Sequence, residues 1–362
     1  MTMAMRKIAI LASSVVPPYA ANSRDNGQEP RHRVRALAEG LGAEVIDPVV
    51  ATTALGPLGW VRRLLGTNVL IAWVAFRRRR EFSVILSMGE RTGIPLAILL
   101  RISRRGARHI MIAHRVSARR KRIVIDLFRL HRTIDVFLVY SRFQARFIRK
   151  RWAPAAQRVV RLEGFVDTAF FQPPATSPGS DTEIPARILA VGMESRDYET
   201  LLRSVSGLDA LVIIKASSPW ACPPRETEPV APPPNVSVLA EPATYEQLRS
   251  LYASSRVFVM PLLDCDYAAG ITSIGEAMAM GLPVVCTEVA GLRDTVVDGV
   301  TGKLAPPGDS EALRAAIVWM LAHPQEAGKM GLEGRRRAEA LMRIDIFLNS
   351  ARRAVSTALG AD

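Results

Sequence analysis

Cysteine is scarce in this chain: Cys222, Cys265 and Cys286 are the only three in 362 residues. Their spacing matches no zinc or redox pattern, and three thiols build no disulfide framework. A reducing compartment is the expectation. Long apolar runs are missing too. The longest candidate, residues 64–76, contains Gly66, Thr67 and Asn68 and falls short of the ~20 apolar residues that a membrane span requires. Residues 5–11 read as a first strand with no small-residue cleavage site behind them, so no leader peptide is expected and the chain is placed in the cytoplasm.

Acidic residues are in short supply locally. Residues 1–175 hold 31 Lys and Arg against 11 Asp and Glu, and residues 60–161 hold 25 against 4, in a chain of net charge +14. Such asymmetry suggests that the first half meets something acidic: a nucleic acid, an anionic membrane or an acidic substrate. What remains is ordinary. The chain is 49% apolar and 23% charged, with 24 Gly and 24 Pro, which excludes a mainly disordered or collagen-like chain. Its length favours two domains over one core.

Short apolar runs alternate with helical stretches twice over. Residues 7–11, 43–46, 84–86, 110–113 and 136–140 read as strands in the first half. Residues 188–191, 211–214, 236–239, 257–261 and 284–286 do so in the second. Strands of this kind imply parallel sheets covered on both faces. A stretch dense in Pro, Gly and Ser at 171–180 is a linker candidate, and residues 311–323 and 326–359 read as helices. The expected fold is α/β, with two doubly wound (Rossmann-like) parallel-sheet domains facing a central cleft. The expected boundaries are 1–165, 166–340 and a C-terminal helix at 341–362 that packs back on the first domain. Ligands of such sheets sit at the carboxyl ends of strands.

The densest signal lies at 257–309, read as strand, loop, helix (272–280), turn, strand and a further helix from Gly291. Gly270 opens the first of these helices. Unpaired amides and the helix dipole favour an anion there, so Gly270, Ile271, Thr272 and Ser273 suit a phosphate or diphosphate. Glu276, one turn further on, suits sugar or ribose hydroxyls. The same residues also fit a capping box, in which Glu276 merely satisfies a backbone amide.

Residues 276–285 (EAMAMGLPVV), Gly291, residues 298–302 (DGVTG) and residues 306–309 (PPGD) together resemble the C-terminal half of family-four glycosyltransferases. Residues 164–167 (GFVD) with Phe171 and Pro173, and Val191, Gly192 and residues 196–202 (RDYETLL), extend the likeness upstream. The resemblance implies the GT-B fold and retaining transfer of a sugar from a nucleoside diphosphate sugar, a UDP- or GDP-sugar, to an acceptor hydroxyl. No bound cofactor and no metal are implied. Glu276 takes the role of the ribose-binding glutamate. The family's other glutamate would fall at 268, where this chain has Ala268. Arg196 and Lys215 are the candidate cations for the leaving diphosphate, where negative charge grows in the transition state. His114, at the carboxyl end of the strand 110–113, is the candidate partner of the transferred sugar or else a structural histidine.

The basic region carries its own expectation. Trp60, Arg62 and Arg63, the apolar run 69–76 with Arg77, Arg78, Arg79 and Arg80 behind it, and Arg119, Arg120, Lys121 and Arg122 suit a helix and a surface lying on an anionic membrane. Otherwise they are solvated charges on core helices. The acceptor is then a glycan or a lipid-linked, cell-envelope polysaccharide precursor, bound at the inner face of the plasma membrane. Two other readings stand beside the enzyme: a nucleotide-sugar-binding protein without turnover, suggested by Ala268, and a nucleic-acid binder, suggested by charge alone. No recognised nucleic-acid module supports the last, and specific nucleic-acid binding is not expected.

Overall fold

Val, Ile, Leu and Ala fill the strand interiors, and two separate sheets result. The computed structural model describes residues 7–16, 29–54, 66–103, 106–174, 186–216 and 231–360. The described residues divide into two units. The first takes in residues 7–16, 31–163 and 344–360, and the second residues 164–343.

In the first unit the order is β1 (Lys7–Leu11), α1 (Arg33–Leu41), β2 (Ala43–Ile46), α2 (Pro48–Thr53), α3 (Thr67–Arg77), β3 (Phe82–Ser87), α4 (Glu90–Ile102), β4 (Arg108–Ile112), α5 (Arg119–Leu127), β5 (Val136–Val139), α6 (Arg142–Arg151) and β6 (Val159–Arg161). The sheet is parallel throughout, in the order β2-β1-β3-β4-β5-β6. Its strands are nearly continuous apolar runs because helices cover both faces. β3 is buried at five of six positions and β5 at all four.

The second unit runs β7 (Ala186–Val191), α7 (Tyr198–Val205), β8 (Ala210–Lys215), β9 (Val236–Val238), α8 (Tyr245–Ala253), β10 (Val257–Met260), α9 (Ile271–Ala279), β11 (Val284–Thr287), β12 (Gly302–Ala305), α10 (Ser310–Ala322) and α11 (Pro324–Leu341). Its sheet is also parallel, in the order β12-β11-β10-β7-β8-β9. The helices start where side chains satisfy their first amides. Asp197 accepts from Thr200 N–H at 3.1 Å, Asp309 from Ala312 N–H at 2.8 Å, and Thr244 and Gln247 form a reciprocal box at the start of α8. Each cap contributes about 0.5–2 kcal/mol. A final helix, α12 (Ile344–Leu359), belongs with the first unit. Arg352 donates to the Gly40 carbonyl at 3.2 Å, and Leu348 lies so close to Gly40 that a β-carbon there would meet its methyls at 2.8 Å.

Three sequence expectations need correction. Each sheet has a sixth strand the apolar runs did not announce. β6 is three residues long, and β12 carries Gly302 and Lys303. The helix expected from Gly291 is a series of turns, because Arg337 of α11 takes the carbonyls of Asp294 (2.5 Å) and Thr295 (3.1 Å) that would accept helical bonds. The linker candidate at 171–180 begins inside the second unit, where Phe170 and Phe171 are buried in the core, and residues 175–180 lie outside the described residues.

Candidate functional site

In the second sheet the strand order reverses between β7 and β10. A reversal point of this kind leaves a crevice at the carboxyl ends of the two strands. The two loops that emerge there, 192–197 and 261–270, are stitched together. Asp197 N–H donates to the Pro261 carbonyl at 3.1 Å and Leu263 N–H to the Ser195 carbonyl at 3.0 Å.

Gly270 ends the second loop with φ +77°, a left-handed conformation in which a side chain is strained. It opens α9 without any side-chain cap. The Ile271 amide turns back to the Ala268 carbonyl at 3.4 Å. The amides of Thr272 and Ser273 have no partner among the described residues. Arg196 reaches this end of the helix. Its Nε donates to the Val191 carbonyl at 2.9 Å and its Nη1 to the Glu194 carbonyl at 2.7 Å. Its Nη2 lies 3.2 Å from where a β-carbon on Gly270 would sit and 2.5 Å from one on Gly192. A β-carbon at Gly192 would overlap the guanidinium, and one at Gly270 would press on it and run into the Met260 sulfur at 2.7 Å. Burial pulls the Arg196 pKa below the usual arginine value, and among the described residues no carboxylate pairs with it. A desolvated cation without a counter-ion, beside two unpaired amides, is set up for an anion.

Glu276 faces the same region from within α9. It does not cap its helix, so the capping-box alternative is set aside. Its Oε2 accepts a 2.9 Å hydrogen bond from Tyr252 of α8, and both side chains are buried. Burial raises the Glu276 pKa to about 7, against the opposing pull of that bond. Tyr252 is pushed well above the ordinary tyrosine value, by burial first and then by the carboxylate. The second Glu276 oxygen accepts no hydrogen bond among the described residues.

Lys215, the last residue of β8, takes the Gly192 amide on its carbonyl at 3.0 Å. Its ammonium donates to the carbonyls of Leu239 (3.4 Å) and Glu241. It thus forms one wall of a cavity of about 940 Å³, lined also by Thr244, Gln247 and Ser250. None of its hydrogen bonds involves the start of α9. In the first unit, His114 stands two residues beyond β4. Its Nε2 is 3.0 Å from the Met88 carbonyl and its ring stacks on Tyr140 at 5.5 Å between centroids. A carbonyl only accepts, so Nε2 carries the proton and Nδ1 is left as an acceptor. Burial lowers the His114 pKa, while the Glu90 carboxylate opposes the shift.

The basic surface divides. Trp60, Arg62 and Arg63 lie outside the described residues. The apolar run 69–76 is no interfacial helix: Leu70, Ile71, Ala72, Val74 and Ala75 of α3 are buried in the core of the first unit. Arg78 makes a double ion pair with Glu44 and a further one with Glu81. Arg79 lies over the Phe76 ring at 4.2 Å and donates to Ser103, and Lys121 pairs with Glu90 at 3.5 Å. Arg77, Arg80, Arg119 and Arg120 are exposed, and Arg122 is half-buried. Apolar groups left in water near them include Trp73 of α3 (40% exposed), Ile102 at the end of α4 (78%), and on α5 and just beyond it Ile123 (51%), Leu127 (72%) and Phe128 (43%).

Tyr252, Tyr267, Ser195 and Glu194 escaped the sequence reading. Tyr267 donates to Glu194 Oε1 at 3.1 Å and lies 2.7 Å from Ser195 Oγ. Two signals were available: an aromatic beside the unusual Ala268, and a carboxylate two residues from Arg196. Among the described residues, no group of three or more His, Cys, Asp or Glu side chains stands together to hold a metal, and no helix is long and apolar enough to cross a membrane.

Two doubly wound parallel six-stranded sheets, each with its own flanking helices, are the GT-B fold. Solved structures agree over nearly the whole chain. Sucrose-phosphate synthase from Thermosynechococcus elongatus covers 99% of this chain and 100% of its own, at TM-score 0.73 and 18% identity. Anabaena HepE in complex with UDP-glucose covers 97% and 99%, at TM-score 0.72 and 13% identity. These likenesses establish the fold. Residues 221–323 match the family described as Glycosyl transferases group 1. A GDP-mannose-dependent alpha-(1-6)-phosphatidylinositol monomannoside mannosyltransferase of Mycolicibacterium smegmatis is 35% identical over 97 residues. That alignment takes in 26% of this chain and about a quarter (25%) of the relative's length.

Proposed function

We propose that the protein is a glycosyltransferase that moves a sugar from a nucleoside diphosphate sugar to an acceptor hydroxyl with retention of configuration. The observation that carries this reading is the pairing of Arg196 with the free Thr272 and Ser273 amides at the start of α9. They form an anion site next to a buried carboxylate, Glu276, that has an oxygen to spare. In the reaction the bond between the sugar's anomeric carbon and the distal phosphate oxygen breaks. The acceptor oxygen bonds to that carbon on the same face, and its proton leaves with the diphosphate. Arg196 and the amides stabilise the charge that grows on the leaving group, and they do so most in the transition state. Glu276 accepts from the ribose hydroxyls. The cavity beside Lys215, at about 940 Å³, is large enough for a nucleoside. His114 offers Nδ1 to a hydroxyl of the transferred sugar. Activity without added divalent metal is the corresponding expectation.

The acceptor is assigned as a lipid-linked or polysaccharide precursor at the cytoplasmic face of the plasma membrane. In support, the mycobacterial relative is named for a phosphatidylinositol mannoside acceptor, and α5 exposes Ile123 and Leu127 among arginines. Ala268 favours a second reading, donor binding without turnover.

A thermal-shift panel with UDP, GDP, ADP and TDP, followed by donor hydrolysis, tests both. A nucleotide at about 100 times its dissociation constant stabilises the fold by about 2.7 kcal/mol. Stabilisation by one nucleotide with slow hydrolysis of its sugar conjugate supports the enzyme. Stabilisation without hydrolysis supports the binding protein. No shift with any nucleotide overturns both.

A further inference from the structure

The loop that carries Arg196 also carries a carboxylate, Glu194, which a diphosphate alone would not want. Glu194 lies two residues before Arg196, in the loop after β7, and is exposed. Its side chain is nevertheless oriented. Tyr267 OH donates to Oε1 at 3.1 Å. A tyrosine hydroxyl carries one hydrogen, so the Ser195 hydroxyl, 2.7 Å from it, donates to the tyrosine in turn. The chain Ser195→Tyr267→Glu194 is therefore a directed relay that ends on the carboxylate. Oε2 of Glu194 has no partner among the described residues.

The backbone is held just as deliberately. Ser195 adopts φ +54°, a left-handed conformation rare outside glycine. Its carbonyl takes the Leu263 amide at 3.0 Å, and the Glu194 carbonyl takes Arg196 Nη1 at 2.7 Å. The guanidinium that fixes Glu194 is thus the one that reaches Gly270. Tyr267 itself stands three residues before Gly270. Backbone strain held by so many bonds clusters at functional sites.

We infer that Glu194, oriented by Tyr267, is the hydroxyl acceptor for the donor's sugar and a determinant of which sugar is taken. This rests on the nucleotide-sugar reading above. A fixed carboxylate next to a diphosphate repels the bare nucleotide. A sugar on the distal phosphate changes the sign, because its hydroxyls donate to the free Oε2. Position 268, with only a methyl group, offers no such acceptor. The carboxylate therefore discriminates the charged donor from the spent nucleotide and favours product release.

Titration calorimetry on the full chain tests the assignment, with GDP, GDP-mannose, UDP and UDP-glucose as probes on the parent and on Glu194→Gln. The glutamine keeps an oxygen for Tyr267, so the loop geometry survives. The expected result is a crossed effect. The nucleotide sugar that the parent prefers binds about 10-fold more weakly to the variant, while its nucleotide binds equally or about 2-fold more tightly. Tyr267→Phe keeps the carboxylate and releases its orientation, and loses roughly 3-fold on the nucleotide sugar alone. Equal affinities for parent and Glu194→Gln overturn the assignment. So does parallel weakening of nucleotide and nucleotide sugar, which marks a merely structural clasp. A parent that binds each nucleotide sugar no better than its nucleotide overturns it too, while the nucleotide site stands. A parent that binds none of the four removes the nucleotide-sugar reading itself.

Discussion

Tyr252 donates its hydroxyl hydrogen to Oε2 of Glu276 across 2.9 Å, with both side chains buried. The pair makes the second unit sensitive to pH in a defined direction. Burial lifts Glu276 from 4.5 to about 7. A carboxyl whose pKa is higher folded than unfolded holds its proton better in the folded state. Its contribution to stability is complete below about pH 4.5 and is lost as pH rises through 7. The whole effect is about 3 kcal/mol at one pKa unit per ~1.4 kcal/mol. Glu276→Gln lacks the titration. Denaturant unfolding at pH 5 and pH 8 is expected to show the glutamine variant gaining roughly 2–3 kcal/mol on the parent over that interval. Identical pH dependence in both proteins counts against the buried carboxyl as the cause.

The same pair governs binding. A ribose hydroxyl donates better to an ionised Glu276, so nucleotide affinity rises between pH 6 and pH 8, with a midpoint near 7. Tyr252→Phe removes the one bond that pulls Glu276 downward, so the midpoint moves up. Calorimetric affinities across that range read the shift directly. A midpoint left in place means that Tyr252 does not act through Glu276.

Much of this was legible in the sequence where a residue's role follows from its neighbours along the chain. Ten of the strands announce themselves as apolar runs, and Gly270 with its following residues reads as a helix start from spacing alone. Arg196 enters through the family resemblance, which makes it a candidate cation; its approach to Gly270 is seen only in the folded chain. What failed was what depends on a distant partner. β12, with Gly302 and Lys303, is a strand only because β11 offers it a ladder. The turns after Gly291 exist because Arg337, more than forty residues later, claims their carbonyls. The capping-box spacing at Ser273 and Glu276 is real, yet Tyr252 captures the carboxylate from another helix. The arginines behind α3 look like free charge until Glu44 and Glu81 are placed beside Arg78.

Arg196 is expected to act on phosphate rather than on the nucleoside. Its fork is held by two carbonyls, and lysine cannot reproduce that geometry. Arg196→Lys should weaken nucleoside diphosphate binding about 10-fold and Arg196→Ala about 100-fold. Affinity for the matching nucleoside without phosphate should stay within about 2-fold. Titration of UDP against uridine, or GDP against guanosine, checks this. A uniform loss on both would place Arg196 in the scaffold.

Gly270 and Gly299 form a matched pair. Both have left-handed backbones, at φ +77° and +72°. A β-carbon on Gly299 meets nothing within 4 Å, whereas one on Gly270 meets the Met260 sulfur at 2.7 Å and Arg196 at 3.2 Å. Gly299→Ala therefore measures backbone strain alone, about 1 kcal/mol, and leaves nucleotide affinity unchanged. Gly270→Ala adds the displacement of Met260 and Arg196. It is expected to cost roughly 2–4 kcal/mol of stability and at least 10-fold in nucleotide affinity. Denaturation midpoints and calorimetry on the two variants separate strain from crowding.

The basic face makes the last prediction. Ile123, Leu127 and Phe128 stand in water with Arg119, Arg120 and Arg129 exposed beside them. Basic residues contribute about 1 kcal/mol each near an anionic leaflet, and inserted apolar groups add to that. Sedimentation with phosphatidylglycerol-containing vesicles should retain the protein, and pure phosphatidylcholine should not. Leu127→Glu with Phe128→Glu should release it while the melting temperature stays put, because neither side chain is buried. Arg119→Gln with Arg120→Gln should weaken retention about 10-fold and flatten its dependence on salt, because fewer charge contacts are then screened. Arg78→Gln is the internal control. Its guanidinium is already matched by Glu44 and Glu81, so it should leave vesicle binding nearly unchanged. Losses that simply follow the charge removed, two units for each double variant and one for Arg78→Gln, would show that net charge, rather than this face, holds the protein to the membrane.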